Sequence, residues 1–375
     1  MIAAGIAEQS RGLGRPVAVT RTLARTTRAA AAALAAFATG CAPLPPTAAG
    51  TEVVVHNPSG APVWLHSGER DGWRQPQALG SATTHRLQLP VGRYALSHTP
   101  TRARVPLPVL PRELGYEPRP LEVTVDRPPA PEPGWCWIPA GPFVLGDRLG
   151  VGQEDERPLQ TPSCAGFWLA ARETTNAQYA RFLNALPADR VDPGWLDFGG
   201  RKCRVVLDEA SGRYGTDAPE LPVVTVSAAG ADAYCSWRSE VTGALHRLPS
   251  EAEWEKAARG PGSRVYAYGD TCATKAANQE SGALAAVGGY APNGFGLYDM
   301  TGNAFEWTQD VYVSGREGDP DAGRFRALRG GSFLLDGIFC RNAMRMRLRP
   351  TVRADDVGFR VLREARPSNP GKIDE

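Results

Sequence analysis

Apolar and polar positions alternate from Thr51 onward. The run "TEVVVHNPSGAPVWLHSG" reads as strand, turn and strand, broken at Asn57–Gly60. "HRLQLPVGRYALSHTP" repeats the pattern around a turn at Pro90–Gly92, and "RPLEVTVD" adds a further strand. Residues 51–127 are therefore expected to form a small β-domain. The stretch "RPPAPEPG" follows, and its prolines at 128–134 read as a stiff linker. Residues 135–365 are expected to form a second domain, and 366–375 a disordered tail.

The period changes in the second domain. In "TTNAQYARFLNAL", Thr175 and Gln178 have the spacing of a capping box, and Tyr179, Phe182, Leu183 and Leu186 follow on one helical face. In "SAAGADAYCSWRSEVTG", Ser227 reads as the N-cap and Gly243 as the C-terminal cap, with Tyr234, Trp237 and Val241 as the apolar stripe. In "LPSEAEWEKAARG", Ser250 and Glu253 make another capping box, Trp254, Ala257 and Ala258 face inward, and Gly260 ends the helix. The remainder is short apolar runs between turns. Few helices among glycine-rich loops and short strands predict an α+β fold of low regular content.

Composition sharpens this. The 375 residues include 41 glycines and 33 prolines, which suits a loop-rich body. The net charge of +2 is misleading, because residues 1–40 carry Arg11, Arg15, Arg21, Arg25 and Arg28 against Glu8 alone. Without that segment the chain is slightly acidic, and it has no basic nucleic-acid footprint. The arginines precede an Ala-rich apolar run well short of the ~20 residues that cross a bilayer, the mark of an export signal. The run closes on "ATGC" at Cys41, and residues 41–50 read as a tether. This resembles a bacterial lipoprotein signal, which implies a lipid on Cys41 and an exported, membrane-anchored protein. A plain cleaved signal with an incidental cysteine is the competing reading. Cys136, Cys164, Cys203, Cys235, Cys272 and Cys340 follow, and no C-x-x-C pair occurs among them. Export permits disulfides, whose connectivity the spacing leaves open. His56, His66, His85 and His98 fall irregularly near turns and strand edges, so they are expected at the surface.

The motifs "WIPAGPFVLGD", "ARETTNAQYARFL", "LPVVTVSAAGADAYCSW", "HRLPSEAEWEKAARG", "YAYGD", "NGFGLYDMTGNAFEWTQD", "LRGGSF" and "VGFRV" occur in that order over about residues 135–363. Together they resemble the formylglycine-generating enzymes, or sulfatase-modifying factors. The resemblance implies an irregular fold similar to a C-type lectin. It also implies Cu(I) held by two thiolates in Gly-Gly-Ser-x-x-Cys-x-x-x-x-Cys, used to oxidise a sulfatase cysteine to formylglycine. Here the motif runs from Gly330 to Cys340, and Leu335 stands in the first cysteine's place with no ligating atom. Cys340 remains, either as a reactive or ligating thiol or as a buried or disulfide-bonded residue. Met344 and Met346 offer thioethers, which bind Cu(I), on the same side as Cys340 if the segment is a strand. Filling the core or the surface is the plainer role for both. The domain's single histidine, His246, argues against the related iron-dependent sulfoxide synthases and is expected at a strand or helix entry.

The resemblance further implies a calcium site made by the Asp299 and Glu306 side chains and the Gly302 and Ala304 carbonyls. Hard oxygens on a glycine-containing loop suit that ion. A loop held by hydrogen bonds alone is the alternative. Another family calcium site would start at Asn278, but the segment after it is short and lacks the usual aspartate. Arg341, Arg345, Arg347, Arg349 and Arg353 read as a solvated, salt-bridged face. Three functions remain open. The first is a lipid-anchored module that binds a peptide, protein or glycan without the copper chemistry. The second is a copper oxidase, and the third is a structural subunit of an envelope assembly. The missing thiolate at Leu335 favours the first.

Overall fold

The computed structural model describes residues 50–69, 72–101, 104–110, 120–315 and 318–365. The export segment, Cys41, nearly all of the tether and residues 366–375 lie outside the described residues. Among the described residues no helix is long and apolar enough to cross a membrane.

Seven strands come first: β1 (Thr51–His56), β2 (Val63–Ser67), β3 (Gln77–Gly80), β4 (Thr84–Leu89), β5 (Gly92–Ser97), β6 (Val105–Val109) and β7 (Leu121–Thr124). They form two sheets, in the orders β4-β1-β7 and β3-β2-β5-β6. β1 runs antiparallel to β4 and parallel to β7. Alternation along the strands sends Val53, Val55, Leu65, Leu96, Leu107 and Val123 into one shared core. Burying each such side chain is worth about 1.5–3 kcal/mol. β6 lies at an edge, the place where Pro106 and Pro108 are tolerated without their N–H groups. The surface expectation fails for His66. It is 2% exposed, its Nε2 lies 2.7 Å from Ser97 Oγ, and its ring meets Trp73 edge-on. β2 is central in its sheet, so its inward positions are buried whatever residue they carry.

Residues 126–134 are exposed and irregular, as their prolines predict. Just beyond them Gly141 (φ 119°) lies against the strands, where a Cβ would stand 3.2 Å from Val105 Cγ1.

The second part holds two four-stranded sheets. One orders His246–Arg247, Leu362–Glu364, Phe167–Ala170 and Trp135–Ile138, all antiparallel, so the two ends of this part are stitched together. The other orders Met346–Leu348, Arg326–Arg329, Phe305–Val311 and Val357–Gly358. Three helices pack on these sheets: α1 (Asn176–Asn184), α2 (Ala228–Thr242) and α3 (Glu251–Arg259). Both capping boxes form as the spacing predicts. Gln178 N donates to Thr175 Oγ1 at 3.3 Å, and Glu253 N donates to Ser250 Oγ at 3.2 Å. Gly243 ends α2 with φ 67°, a left-handed conformation that glycine adopts freely.

The stripe of α2 differs from its prediction. Val241 is 63% exposed, and the buried face is Ala228, Ala231, Tyr234 and Cys235. The segment around Cys340 also differs. Cys340 closes a 3-10 turn over Gly337–Cys340, and the strand starts only at Met346.

Substituting Ser250→Ala removes the N-cap acceptor of α3 and is expected to cost about 1 kcal/mol. A urea titration that left the midpoint unmoved would contradict the cap.

Candidate functional site

The strand Arg326–Arg329 ends in a turn at Gly330 (φ 99°) and Gly331 (φ 75°). A Cβ on Gly331 would lie 2.4 Å from Cys340 Sγ, so glycine is what lets the turn close over that thiol. Ser332 Oγ donates to Asp356 Oδ2 at 2.8 Å, and Phe333 N donates to Asn303 O at 2.9 Å. The second of these bonds ties the turn to the loop implied for calcium. Asp336 then caps the 3-10 turn through Ile338 N at 3.2 Å.

Leu335 is 8% exposed and packs in one apolar cluster with Cys340, Met344 and Met346. Cys340 is fully buried, and its sulfur lies 4.0 Å from both Ser332 O and Leu335 O. Burial pushes its thiol up to about 12, with a smaller like-charge contribution from Cys272. Cys340 is therefore a neutral thiol among aliphatic side chains, and no disulfide holds it. The two-thiolate copper arrangement does not fit the residues at 335 and 340. The methionine sulfurs belong to the same closed core, so they serve as filler.

The loop at Asp299 is strongly bent, with positive φ at Asp299 (56°), Gly302 (76°) and Asn303 (61°). Gly302 is required, because a Cβ there would come within 2.3 Å of Asn278 O. The structure brings Asp299 and Glu306 together, and it adds Glu173, which the sequence patterns did not single out. Glu306 lies in the strand Phe305–Val311, and its oxygens accept from Arg360 Nε at 2.8 and 2.7 Å and from Trp254 Nε1 at 2.6 Å. Glu173 accepts from Asn303 Nδ2 at 2.7 Å and Ala304 N at 3.1 Å. Asp299 Oδ2 accepts from Gly288 N at 2.6 Å. Burial, reinforced by Asp299 and Glu306, holds the Glu173 carboxyl well above its ordinary range. Asp299 is raised as well, again chiefly by burial. Three carboxylates thus face Arg360, and Arg172 also bears on Asp299. That excess of negative charge suits a hard cation beside Asp299, although Glu306 is already committed to Arg360 and Trp254. Among the described residues no three His, Cys, Asp or Glu side chains converge as a metal-ligating group. Any ion here would draw largely on loop carbonyls. Asn278 donates to Ala283 O and to Asn303 Oδ1, at 3.0 and 2.9 Å, and so braces the same loop.

The remaining candidates fall elsewhere. His246 is buried in its short strand, where burial lowers its pKa. The arginine face is not uniformly solvated. Arg341 is buried on Glu156 (2.6 and 2.9 Å) and Arg345 forks onto Glu251 (2.7 Å twice), while Arg349 is exposed. The partner acids lie about a hundred or more residues upstream, out of reach of a local reading. Cys272, on an exposed loop, lies against Gly337 at the start of the turn that Cys340 closes, and its position in the chain gave no signal of that.

A model of the sulfatase-modifying factor enzyme 1-like domain matches residues 122–365, more than half of the chain. The chain belongs to the sulfatase-modifying factor family. A formylglycine-generating enzyme of Streptomyces coelicolor is 31% identical over 289 residues, covering 62% of this chain and 90% of that relative. The mouse protein "Inactive C-alpha-formylglycine-generating enzyme 2" is 28% identical over 281 residues, covering 63% and 87%. Among solved structures, PvdO from Pseudomonas aeruginosa aligns with TM-score 0.51 and 28% identity, covering 63% of this chain and all of that one. The mixed architecture of sheets, three helices and irregular segments is that of the family.

Burial raises the Asp356 carboxyl from 3.8 to about 6. The folded chain therefore keeps a proton that the unfolded chain has lost. Stability should fall as pH rises through that interval and level off above it, a change on the order of 3 kcal/mol. Asp356→Asn should flatten the slope in urea melts between pH 4 and 6. An unchanged slope would place the proton on another group.

Proposed function

We propose that this protein is an exported module of the sulfatase-modifying factor family that binds a peptide, protein or glycan ligand and lacks the family's copper oxidation. The observation that carries this reading is Leu335. It stands where the first copper thiolate belongs, packed in the apolar core beside a neutral Cys340. A lone buried thiol holds no open Cu(I) centre, since the ion's soft two-coordinate chemistry needs a second sulfur. The mouse relative named as inactive lends support, because that name records a family member without the activity. In this reading the irregular part resembles a C-type lectin, whose loops present a ligand surface. The strands before residue 127 act as a separate β-domain that holds it away from a membrane to which Cys41 is lipid-anchored. Calcium beside Asp299, with the Gly302 and Ala304 carbonyls, braces that loop surface. Membrane attachment and family membership also suit a structural subunit of an envelope assembly, and ligand binding separates the two readings.

The deciding assay supplies Cu(I) anaerobically to the full chain, then oxygen and a Cys-x-Pro-x-Arg peptide, and follows the peptide by mass spectrometry. No formylglycine above background is expected, and catalytic product formation would overturn the proposal. Peptide and glycan arrays should in turn show saturable binding, and failure on both would favour the structural subunit. Calcium is expected to raise the melting temperature of the chain by a few degrees, with the shift lost in Asp299→Asn. Identical melting in calcium and in chelator would remove the ion from the reading.

A further inference from the structure

A cavity of about 280 Å³ lies at the seam between the first seven strands and the second part of the chain. Three stretches line it: the connection from β5 to β6, the linker after β7, and the strand Trp135–Ile138 with Pro139. Its walls are held from behind. A Cβ on Gly166 would stand 2.5 Å from Trp137 Cζ2, so the missing side chain makes room for the indole. The ring of Trp168 meets that indole at 5.4 Å and 62°. Pro139 O accepts from Lys256 Nζ at 2.6 Å, which ties this wall to α3. The strand side is fixed as well. The His98 ring nitrogens lie 3.1 Å from Pro62 O and 3.0 Å from Val125 O, and Ser97 Oγ donates to Thr99 O at 2.5 Å.

The lining divides by chemistry. Trp137, Pro128 and Pro139 give it an apolar surface, and the two prolines bring no N–H group there. Asp126, Arg104 and Thr99 supply polar contacts, and Asp126 and Thr99 are exposed to solvent. A carboxylate only accepts hydrogen bonds and a guanidinium only donates them, while a hydroxyl does both. Asp126 and Arg104 also carry opposite charges, so neither sign of simple ion is favoured. A ligand with one apolar face and hydroxyls around its rim answers every one of these groups. Pockets that hold drug-sized molecules run to about 300–1,000 Å³, so this cavity admits a single ring.

We propose that the seam cavity binds one pyranose ring of a glycan, with the ring's C–H face on Trp137 and its hydroxyls among Asp126, Arg104 and Thr99. Neighbouring hydroxyls donate to the carboxylate and accept from the guanidinium, which selects a diol over an acid or an amine. Because the walls come from both parts of the chain and are already braced, binding orders little that is not ordered beforehand. This site is separate from the loop surface beside Asp299, and the reading of that surface does not depend on it.

The test is saturation-transfer NMR on the full chain with a panel of methyl glycosides. At least one neutral hexoside or N-acetylhexosaminide should bind saturably, with transfer strongest to its ring C–H protons, and an acyclic alditol should not bind. Asp126→Asn, at an exposed position, should weaken binding about tenfold, the loss of one hydrogen bond to a charged group. Thr99→Trp, also exposed, fills the cavity and should abolish it. Binding that survives unchanged in both variants would put the sugar on the loop surface and overturn this site. Failure of the unaltered chain to bind any glycoside, or binding of free amino acids in their place, would overturn it too.

Discussion

The fully buried ion pair of Arg360 and Glu306 is the contact on which the second part of the chain converges. Arg360 forks onto Glu306 and also donates to Ala170 O at 3.2 Å and Tyr298 O at 2.9 Å. One guanidinium thus joins the last strands, the strand Phe305–Val311, the strand Phe167–Ala170 and the bent loop before Asp299. Glu306 in turn accepts from Trp254 and so ties in α3. Removing one member would strand a buried charge, which typically costs about 3–5 kcal/mol. A second buried group has the same logic, with Arg259 and Arg329 both on Glu255. A domain with little regular secondary structure leaves many backbone groups outside ladders. Long polar side chains satisfy those groups and fix the loops that helices and strands would otherwise fix.

That frame explains the character of the loop surface. Arg360 balances one carboxylate fully, while Glu173 and Asp299 share what remains of its field. Their raised pKa values and the positive φ angles around them lie in one stretch of backbone. The turn at Gly330–Gly331 is bonded directly to that stretch, since Gly302 N donates to Gly330 O at 2.8 Å. The segment that carries copper in the family and the segment implied for calcium are therefore one mechanical unit. Replacing a thiolate by Leu335 leaves this unit intact, because a leucine packs with Met344 and Met346 as readily as any core side chain.

Cys272 shows how a close contact is assembled across the chain. Its sulfur reaches Gly337 from a loop 65 positions earlier, and only a residue without a Cβ admits it. Gln279, Tyr266 and Tyr268 arrive from the same stretch of loop. None of them stands in a pattern that periodicity reports.

Much of this protein was readable from its residues alone. The caps at Thr175, Ser227, Ser250 and Gly243 were legible because a cap is a bond between neighbours three or four positions apart. The alternating strands before residue 127 and the prolines beyond them were legible for the same reason. The loss of a ligating atom at Leu335 needs no coordinates at all. Tertiary structure decided the rest. It buried His66 and Arg341, left Val241 in solvent and made Cys340 part of a turn instead of a strand. It also gathered Glu173 with Asp299 and Glu306, and brought Cys272 to Gly337. Each of these depends on a partner far away in sequence, and a local pattern of apolar and polar residues holds no record of which distant surface will cover it.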